Sequence, residues 1–147
     1  MKKSILMLAM MITVASSAVL ANDDKDVNAK VLSTFNKEFQ AAKDVKWGQS
    51  GDFIKATFVM NAHRVVAIFD DNGALLGTAR DILFSELPLN VAIAINKEYK
   101  DAGIYGVYEV SNGEGINYHM TIDTGKCRLQ AKVTPFGGIS VLKKAKK

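Results

Sequence analysis

Two stretches of the chain repeat apolar residues at every third or fourth position, which is the period of an amphipathic helix. In residues 24–43 the apolar stripe is Val27, Val31, Phe35 and Phe39. The second unit opens at Ser85-Glu86-Leu87-Pro88, with the proline near the first turn of its helix, and the helix stripe is Val91, Ala92, Ile95 and Tyr99. Acidic residues at the start of the first helix (Asp23, Asp24 and Asp26) predict its N-cap and suit the positive end of the helix dipole. Gly103 is the predicted C-cap of the second helix.

The remaining segments alternate apolar and polar residues, which is the period of a strand with one buried face. Short turns such as Asn61-Ala62 and Asp70-Asp71-Asn72-Gly73 separate them, and connections this short require antiparallel neighbours. The predicted strands are residues 45–48, 53–60, 63–69, 74–82, 104–110, 116–122, 126–133 and 139–142. A helix followed by a meander, twice in succession, predicts an α+β fold rather than a parallel α/β fold.

One short stretch is written twice in the chain. Asn36-Lys37-Glu38-Phe39 returns 60 residues later as Asn96-Lys97-Glu98-Tyr99. Self-similarity at a fixed offset indicates that one supersecondary unit was used twice. We therefore expect two repeats in the mature domain (residues 22–147), at about 24–83 and 85–142.

The strand alternation also predicts the two faces of the sheet. One face is apolar and should carry both helices, whereas the other is mixed polar and open to water. The polar residues predicted on this open face are Lys55, Thr57, Arg64, His119, Arg128, Gln130 and Lys132. They include four bases and no acid, so an acidic partner is expected if the face binds anything. The simpler interpretation is an ordinary solvent-exposed surface.

The N-terminus has the pattern of a secretory signal peptide, which predicts a periplasmic or secreted protein. Lys2 and Lys3 precede an apolar run over 5–14, and Val19-Leu20-Ala21 forms a small-residue cleavage site. The run is too short for a membrane span. Cleavage after residue 21 would lower the formal net charge from +4 to +2.

The charge that remains after cleavage is concentrated at the C-terminus, in Lys143, Lys144, Lys146 and Lys147. These lysines predict a solvated tail, or alternatively electrostatic adhesion to an anionic surface. The rest of the domain is near neutral, so nucleic-acid binding is not expected.

No grouping of residues indicates catalysis, a cofactor or a metal site. Two histidines, His63 and His119, are too few for a closed metal site, and we expect both on strand surfaces. The Asp70–Gly73 stretch lacks the ligand spacing of a calcium loop. The sequence contains no nucleophile elbow and no phosphate-binding glycine loop.

The lone cysteine and the aromatic residues leave alternatives open. Cys127 is expected to be a half-buried strand residue, or alternatively a reactive thiol or the site of an intermolecular bridge. Trp47 and Tyr118 are expected in the core. For Tyr105 and Tyr108, the core and a binding surface are equal alternatives.

The order of these patterns resembles the exported bacterial PepSY-like proteins, also called β-lactamase-inhibitor-protein-like. The resemblance is carried by Phe35, Phe39, Val45-Lys46-Trp47, Ala56-Thr57-Phe58 and Ala67-Ile68-Phe69-Asp70-Asp71-Asn72-Gly73, and later by Leu87-Pro88, Val91, Ile95, Tyr99, Ile104, Val107, Glu109-Val110 and Tyr118. It implies two small units whose strands join in one antiparallel sheet, with the helices on one side. The related inhibitor grips an enzyme with the open face of its sheet, and PepSY domains are proposed to restrain proteases. The resemblance supplies no catalytic residues.

Two functional hypotheses follow. The first is an exported, non-enzymatic binding module that takes a protein partner on the open face and inhibits or modulates an extracytoplasmic enzyme. The alternative is a carrier or sensor of a small ligand, with a pocket between the sheet and the helices. The oligomeric state is left open by the sequence.

Overall fold

The computed structural model describes residues 27–147, and the predicted signal peptide lies outside them. The strands follow one another in chain order in a single eight-stranded sheet, which confirms the α+β class. The helices are α1 (Ala29–Glu38) and α2 (Leu89–Glu98), and a 3₁₀ turn spans Phe84–Glu86. The strands are β1 (Lys43–Ser50), β2 (Phe53–Met60), β3 (His63–Phe69), β4 (Leu75–Asp81), β5 (Gly103–Asn112), β6 (Gly115–Asp123), β7 (Cys127–Val133) and β8 (Ile139–Lys146). Within residues 27–147, no helix has the length and apolar character needed to cross a bilayer.

The chain forms two compact units that divide between Ala79 and Arg80. In unit 1, Phe35 of α1 packs its ring among those of neighbouring aromatic residues. Its centroid lies 5.0 Å from that of Trp47, 5.1 Å from Phe58 and 5.3 Å from Phe39. Edge-on and tilted ring pairs at such distances add to the stabilisation from burial alone. The ring of Phe69, in β3, lies 6.5 Å from that of Phe35, so an aromatic cluster joins α1 to β1, β2 and β3.

Helix α1 is shorter than the predicted span 24–43. It begins after Asn28, whose Oδ1 accepts a hydrogen bond from Lys30 N at 2.8 Å, so Asn28 is the N-cap. The predicted caps Asp23, Asp24 and Asp26 lie outside the described residues. At the other end Phe39 leaves the helical conformation (φ −124°, ψ 51°) and is buried in the aromatic cluster. The apolar stripe thus continues beyond the last helical residue, which is why periodicity overestimated the helix.

In unit 2, the buried side chains of α2, Val91 and Ile95, pack with apolar residues of the strands below. These strand residues include Val107, Tyr118, Met120, Ile122, Leu129, Ala131 and Val133. The predicted C-cap at Gly103 is wrong. Helix α2 ends at Glu98 with Tyr99 as C-cap, and Gly103 is instead the first residue of β5, paired with Asp123.

The two units use equivalent positions 60 residues apart. Helix α1 buries Val31 and Phe35, and α2 buries Val91 and Ile95. Both helices are ten residues long, and their C-caps, Phe39 and Tyr99, have nearly the same φ and ψ. The same offset of 60 residues separates the two Asn-Lys-Glu stretches. The duplication itself stays a prediction.

Strand β8 is longer than the predicted 139–142. Lys143, Lys144 and Lys146 lie within it, opposite Gln130, Leu129 and Cys127. The predicted end of this strand at residue 142 is therefore corrected, because pairing with β7 orders the backbone of these lysines. Their side chains remain exposed, as is usual for lysines on a strand at the edge of a sheet.

Candidate functional site

In each unit, the strand register places the predicted residues on the face of the strands opposite that unit's core cluster, and we call this the open face. Directly opposite residues in an antiparallel pair lie on the same face. In unit 1, Thr57 lies opposite Val66, whereas the neighbouring pair Ala56 and Ala67 belongs to the core. In unit 2, Thr121 lies opposite Gln130, whereas Met120 and Ala131 belong to the core.

In unit 1 the open face is cationic without a compensating acid. Lys55 lies opposite Ile68, and Arg64 lies opposite Val59. Lys46 of β1 lies opposite Thr57 on the same face. It was missed as a site residue, although its alternation with Val45 and Trp47 was visible in the sequence. Within residues 27–147, no ion pair involves Lys46, Lys55 or Arg64.

In unit 2 the open face is a set of cross-strand rows. One row runs from Tyr108 through His119 and Lys132 to Ser140. The next runs from Tyr105 through Thr121 and Gln130 to Lys143. Each row therefore combines a tyrosine at one end with a lysine further along.

A third row, which contains Asp123 and Arg128, includes an acid that was not predicted on the open face. Asp123 lies opposite Arg128, and its Oδ2 is 2.8 Å from Lys147 Nζ and 3.5 Å from Arg128 Nε. The hydrogen bond from Lys147 lowers the pKa of Asp123, and the N–H of Gly125 lowers this pKa further. The open face of unit 2 is therefore not free of acids. Asp123 partly neutralises Arg128. Among the described residues, the unpaired cations of this open face are therefore Lys132 and Lys143.

His119 is half-buried in the first of these rows. Burial lowers its pKa, and the positive charge of Lys132 lowers it further, because both disfavour the imidazolium form. His119 is therefore uncharged at neutral pH. In this state the ring can donate or accept a hydrogen bond while Lys132 carries the charge of the row.

A polar group on the helix side of unit 2 was not predicted. Arg80 Nη2 and Glu109 Oε1 form an ion pair at 3.0 Å, and the hydroxyl of Tyr118 donates to Glu109 Oε2 at 3.4 Å. Burial and the Glu109 carboxylate raise the pKa of Tyr118. These three residues are far apart in the sequence, so no local pattern indicates the grouping.

The other singled-out residues occupy structural positions. Trp47 and Tyr118 are buried in the core, as predicted, and Tyr105 is 60% exposed on the open face. His63 lies opposite Met60, so it is on the helix side of the sheet rather than on the open face. Cys127 is half-buried in β7, and its Sγ lies 3.3 Å from Thr124 Oγ1.

The acidic turn after β3 is a hairpin turn, as predicted, because Asp70 binds its own backbone. Its Oδ1 accepts hydrogen bonds from Asn72 N at 3.0 Å and Ala74 N at 2.8 Å. Within residues 27–147, no group of three or more His, Cys, Asp or Glu side chains is arranged to hold a metal ion.

Comparison with solved structures shows a known fold. A BLIP-like protein from Bacteroides fragilis aligns with a TM-score of 0.72 and 20% identity, over 85% of this chain and 92% of that one. A DUF2874 family protein from Bacteroides ovatus aligns with a TM-score of 0.71 and 24% identity, over 80% of this chain and 86% of that one. A protein of Bacteroides eggerthii, provisionally assigned to the periplasm, aligns with a TM-score of 0.72 and 22% identity, over 82% of this chain and 88% of that one. No model of a protein family and no curated protein matches the sequence. The chain therefore has the fold of the BLIP-like proteins.

Proposed function

We propose that this protein is an exported, non-enzymatic binding module that takes an acidic protein partner on the open face of its sheet. The observation that carries the proposal is the charge of that face. In unit 1, Lys46, Lys55 and Arg64 lie on it without an ion pair among the described residues. Unpaired surface charges of one sign steer an oppositely charged partner and select it.

The location follows from the N-terminal pattern and from the structural neighbours. The signal-peptide pattern of residues 1–21 is that of an exported chain. One neighbour of the same fold is provisionally assigned to the periplasm. A periplasmic location would place the open face among extracytoplasmic enzymes. The BLIP-like neighbour and the sequence resemblance to PepSY-like proteins support a role in modulating one of these enzymes.

The packing favours this function over a small-ligand carrier. A carrier needs a cavity between helix and sheet. In unit 1 that space holds the ring of Phe35, within 5.3 Å of three other ring centroids. In unit 2 it holds Val91 and Ile95, both fully buried. Side chains therefore fill the space between each helix and its strands, as in a close-packed protein core.

The test is affinity capture from the producing cell's periplasmic and secreted fractions, at low and raised salt. A variant with Ser at Lys46, Lys55, Arg64 and Lys132 removes four charges from the open face. A matched control removes four exposed lysine charges in or next to the helices: Lys30, Lys37, Lys97 and Lys100. We expect the open-face variant to capture at least tenfold less partner than the parent, a loss of roughly 1.4 kcal/mol in binding free energy. The control variant should capture as much partner as the parent.

A third variant, Asp123→Asn, raises the charge of the open face instead of lowering it. It removes the acid that neutralises Arg128 and Lys147 and should strengthen capture at low salt, with less gain at high salt because salt screens the interaction. Equal losses for the open-face and helix variants would contradict the proposal. Capture that survives the open-face variant would also contradict it.

A further inference from the structure

A second surface lies along the outer edge of β8 and adjoins the open face of unit 2 at Lys143. Strand β8 is last in the strand order, and among the described residues its only sheet neighbour is β7. The outer side of such a strand presents unpaired backbone N–H and C=O groups, which can pair with another extended chain. Two apolar residues of this strand, Val141 and Leu142, are about half exposed (48% and 51%).

The hydrogen bonds at the two ends of the β7–β8 pair indicate which backbone groups face outward. Thr134 N donates to Gly138 O at 2.9 Å, and Lys147 N donates to Lys126 O at 3.4 Å. Hydrogen-bonded and non-hydrogen-bonded pairs alternate along an antiparallel ladder. When this alternation is followed from either end of the β7–β8 pair, both ends give the same assignment of inward and outward residues. The register shifts between Val141 and Lys143, where Leu142 is the extra residue. The residues whose backbone groups face outward are Ile139, Val141, Lys144 and Lys146.

The charge of this edge restricts its occupant. Lys143, Lys144 and Lys146 are exposed, and none forms an ion pair with a described residue. Two copies of the same edge would bring like charges together, and lysines on an edge strand oppose such self-pairing. An extended segment that carries acidic residues has the opposite charge, and opposite charges across neighbouring strands stabilise the pair.

We propose that the β8 edge binds an extended acidic segment of another protein, which adds to the sheet as a further strand. The outward N–H and C=O groups supply backbone hydrogen bonds, and the three lysines select acidic side chains. Val141 and Leu142 supply apolar contact for β-branched residues of the segment. In strand addition of this kind, main-chain hydrogen bonds give affinity and side-chain contacts give specificity.

The probe is a fluorescent octapeptide that alternates glutamate with valine, and the control peptide has lysine in place of each glutamate. We expect saturable binding of the glutamate peptide, weaker at higher salt, and at least tenfold weaker binding of the lysine peptide. In the protein, replacing Lys144 and Lys146 with Glu should weaken binding of the glutamate peptide by about tenfold. The matched control, Lys97→Glu with Lys100→Glu on exposed positions in and just after α2, should leave binding unchanged.

Amide hydrogen exchange distinguishes strand addition from electrostatic adsorption. On peptide binding, the outward amides of Val141, Lys144 and Lys146 should gain protection. The amides of Ser140, Lys143 and Ala145, which already face β7, should change little. Uniform protection of the β8 amides, or no protection, would overturn the proposal, as would equal binding of the two peptides.

Self-association of the protein that is lost when Lys144 and Lys146 are changed would also overturn it, because the occupant would then be a second copy. The open-face variant should bind the peptide normally, so failure of one proposal is distinguishable from failure of the other.

Discussion

Gly73 lies against the first turn of helix α1, where a Cβ atom built on it would come within 2.8 Å of the carbonyl carbon of Lys30. The carbonyl oxygen of Gly73 accepts a hydrogen bond from Thr34 Oγ1 at 2.7 Å. Asn28 Nδ2 donates to Asp71 O in the same turn at 2.8 Å. The β3–β4 turn thus holds the helix onto unit 1, and it approaches closely because residue 73 has no side chain.

Replacing Gly73 with alanine should lower the free energy of unfolding by about 2–3 kcal/mol. The new Cβ would meet backbone atoms of Lys30, and residue 73 has φ +85°, a conformation that costs alanine energy. Gly113→Ala is the control, since nothing lies within 4 Å of its Cβ position and its effect should stay within about 0.5 kcal/mol. Urea unfolding monitored by Trp47 fluorescence measures both variants. Equal unfolding midpoints would contradict the docking role of Gly73.

The β2–β3 turn holds an alanine in a left-handed conformation. Asn61 and Ala62 have φ of 51° and 64°, a pair of values that two-residue hairpin turns usually achieve with Asn-Gly. Ala62→Gly should therefore stabilise the protein by about 1 kcal/mol. The reverse change, Gly51→Ala, occurs at φ +59° in open space and should cost about the same. Two thermal unfolding curves test this, and shifts of the same sign would contradict it.

Phe35 is the central side chain of the unit 1 core. It is 5% exposed and lies beside Phe39, Trp47 and Phe58. Phe35→Ala should lower the free energy of unfolding by about 3–5 kcal/mol. The matched substitution, Phe136→Ala, removes a ring that is 90% exposed and should change stability by less than about 0.5 kcal/mol. Denaturant titration of both variants distinguishes a packing effect from a general loss of aromatic residues.

His119 should make stability depend on pH in the weakly acidic range. Its pKa in the folded protein is lowered by burial and by Lys132, whereas the unfolded chain has a value of about 6.5. The unfolded state therefore binds more protons between the two values, and the free energy of unfolding falls as pH drops below about 6.5. His119→Gln should reduce this slope. Urea midpoints between about pH 5 and pH 7.5 test the expectation, and identical slopes for parent and variant would contradict it.

Features set by local interactions were predictable from the sequence. Strands β2 and β3 begin and end at the predicted residues, because alternation of apolar and polar side chains and the Asn61-Ala62 turn are properties of adjacent residues. The turn at Asp70 was predictable for the same reason, since the aspartate binds the backbone two and four residues further on. Four cationic residues of the open face, Lys55, Arg64, Arg128 and Lys132, followed from the same alternation.

Other features depend on residues distant in the sequence, and only the tertiary structure decided them. Asp123 lies beside Arg128 and Lys147 because the register of β6, β7 and β8 places them there. Phe39 ends its helix because burial in the aromatic cluster outweighs continuation of the helical period. Lys143 to Lys146 form a strand because β7 supplies hydrogen-bond partners that the lysine-rich sequence does not indicate. The sequence alone therefore determined the period of each element and its turns, whereas pairing between distant strands determined which charges meet and where the elements end.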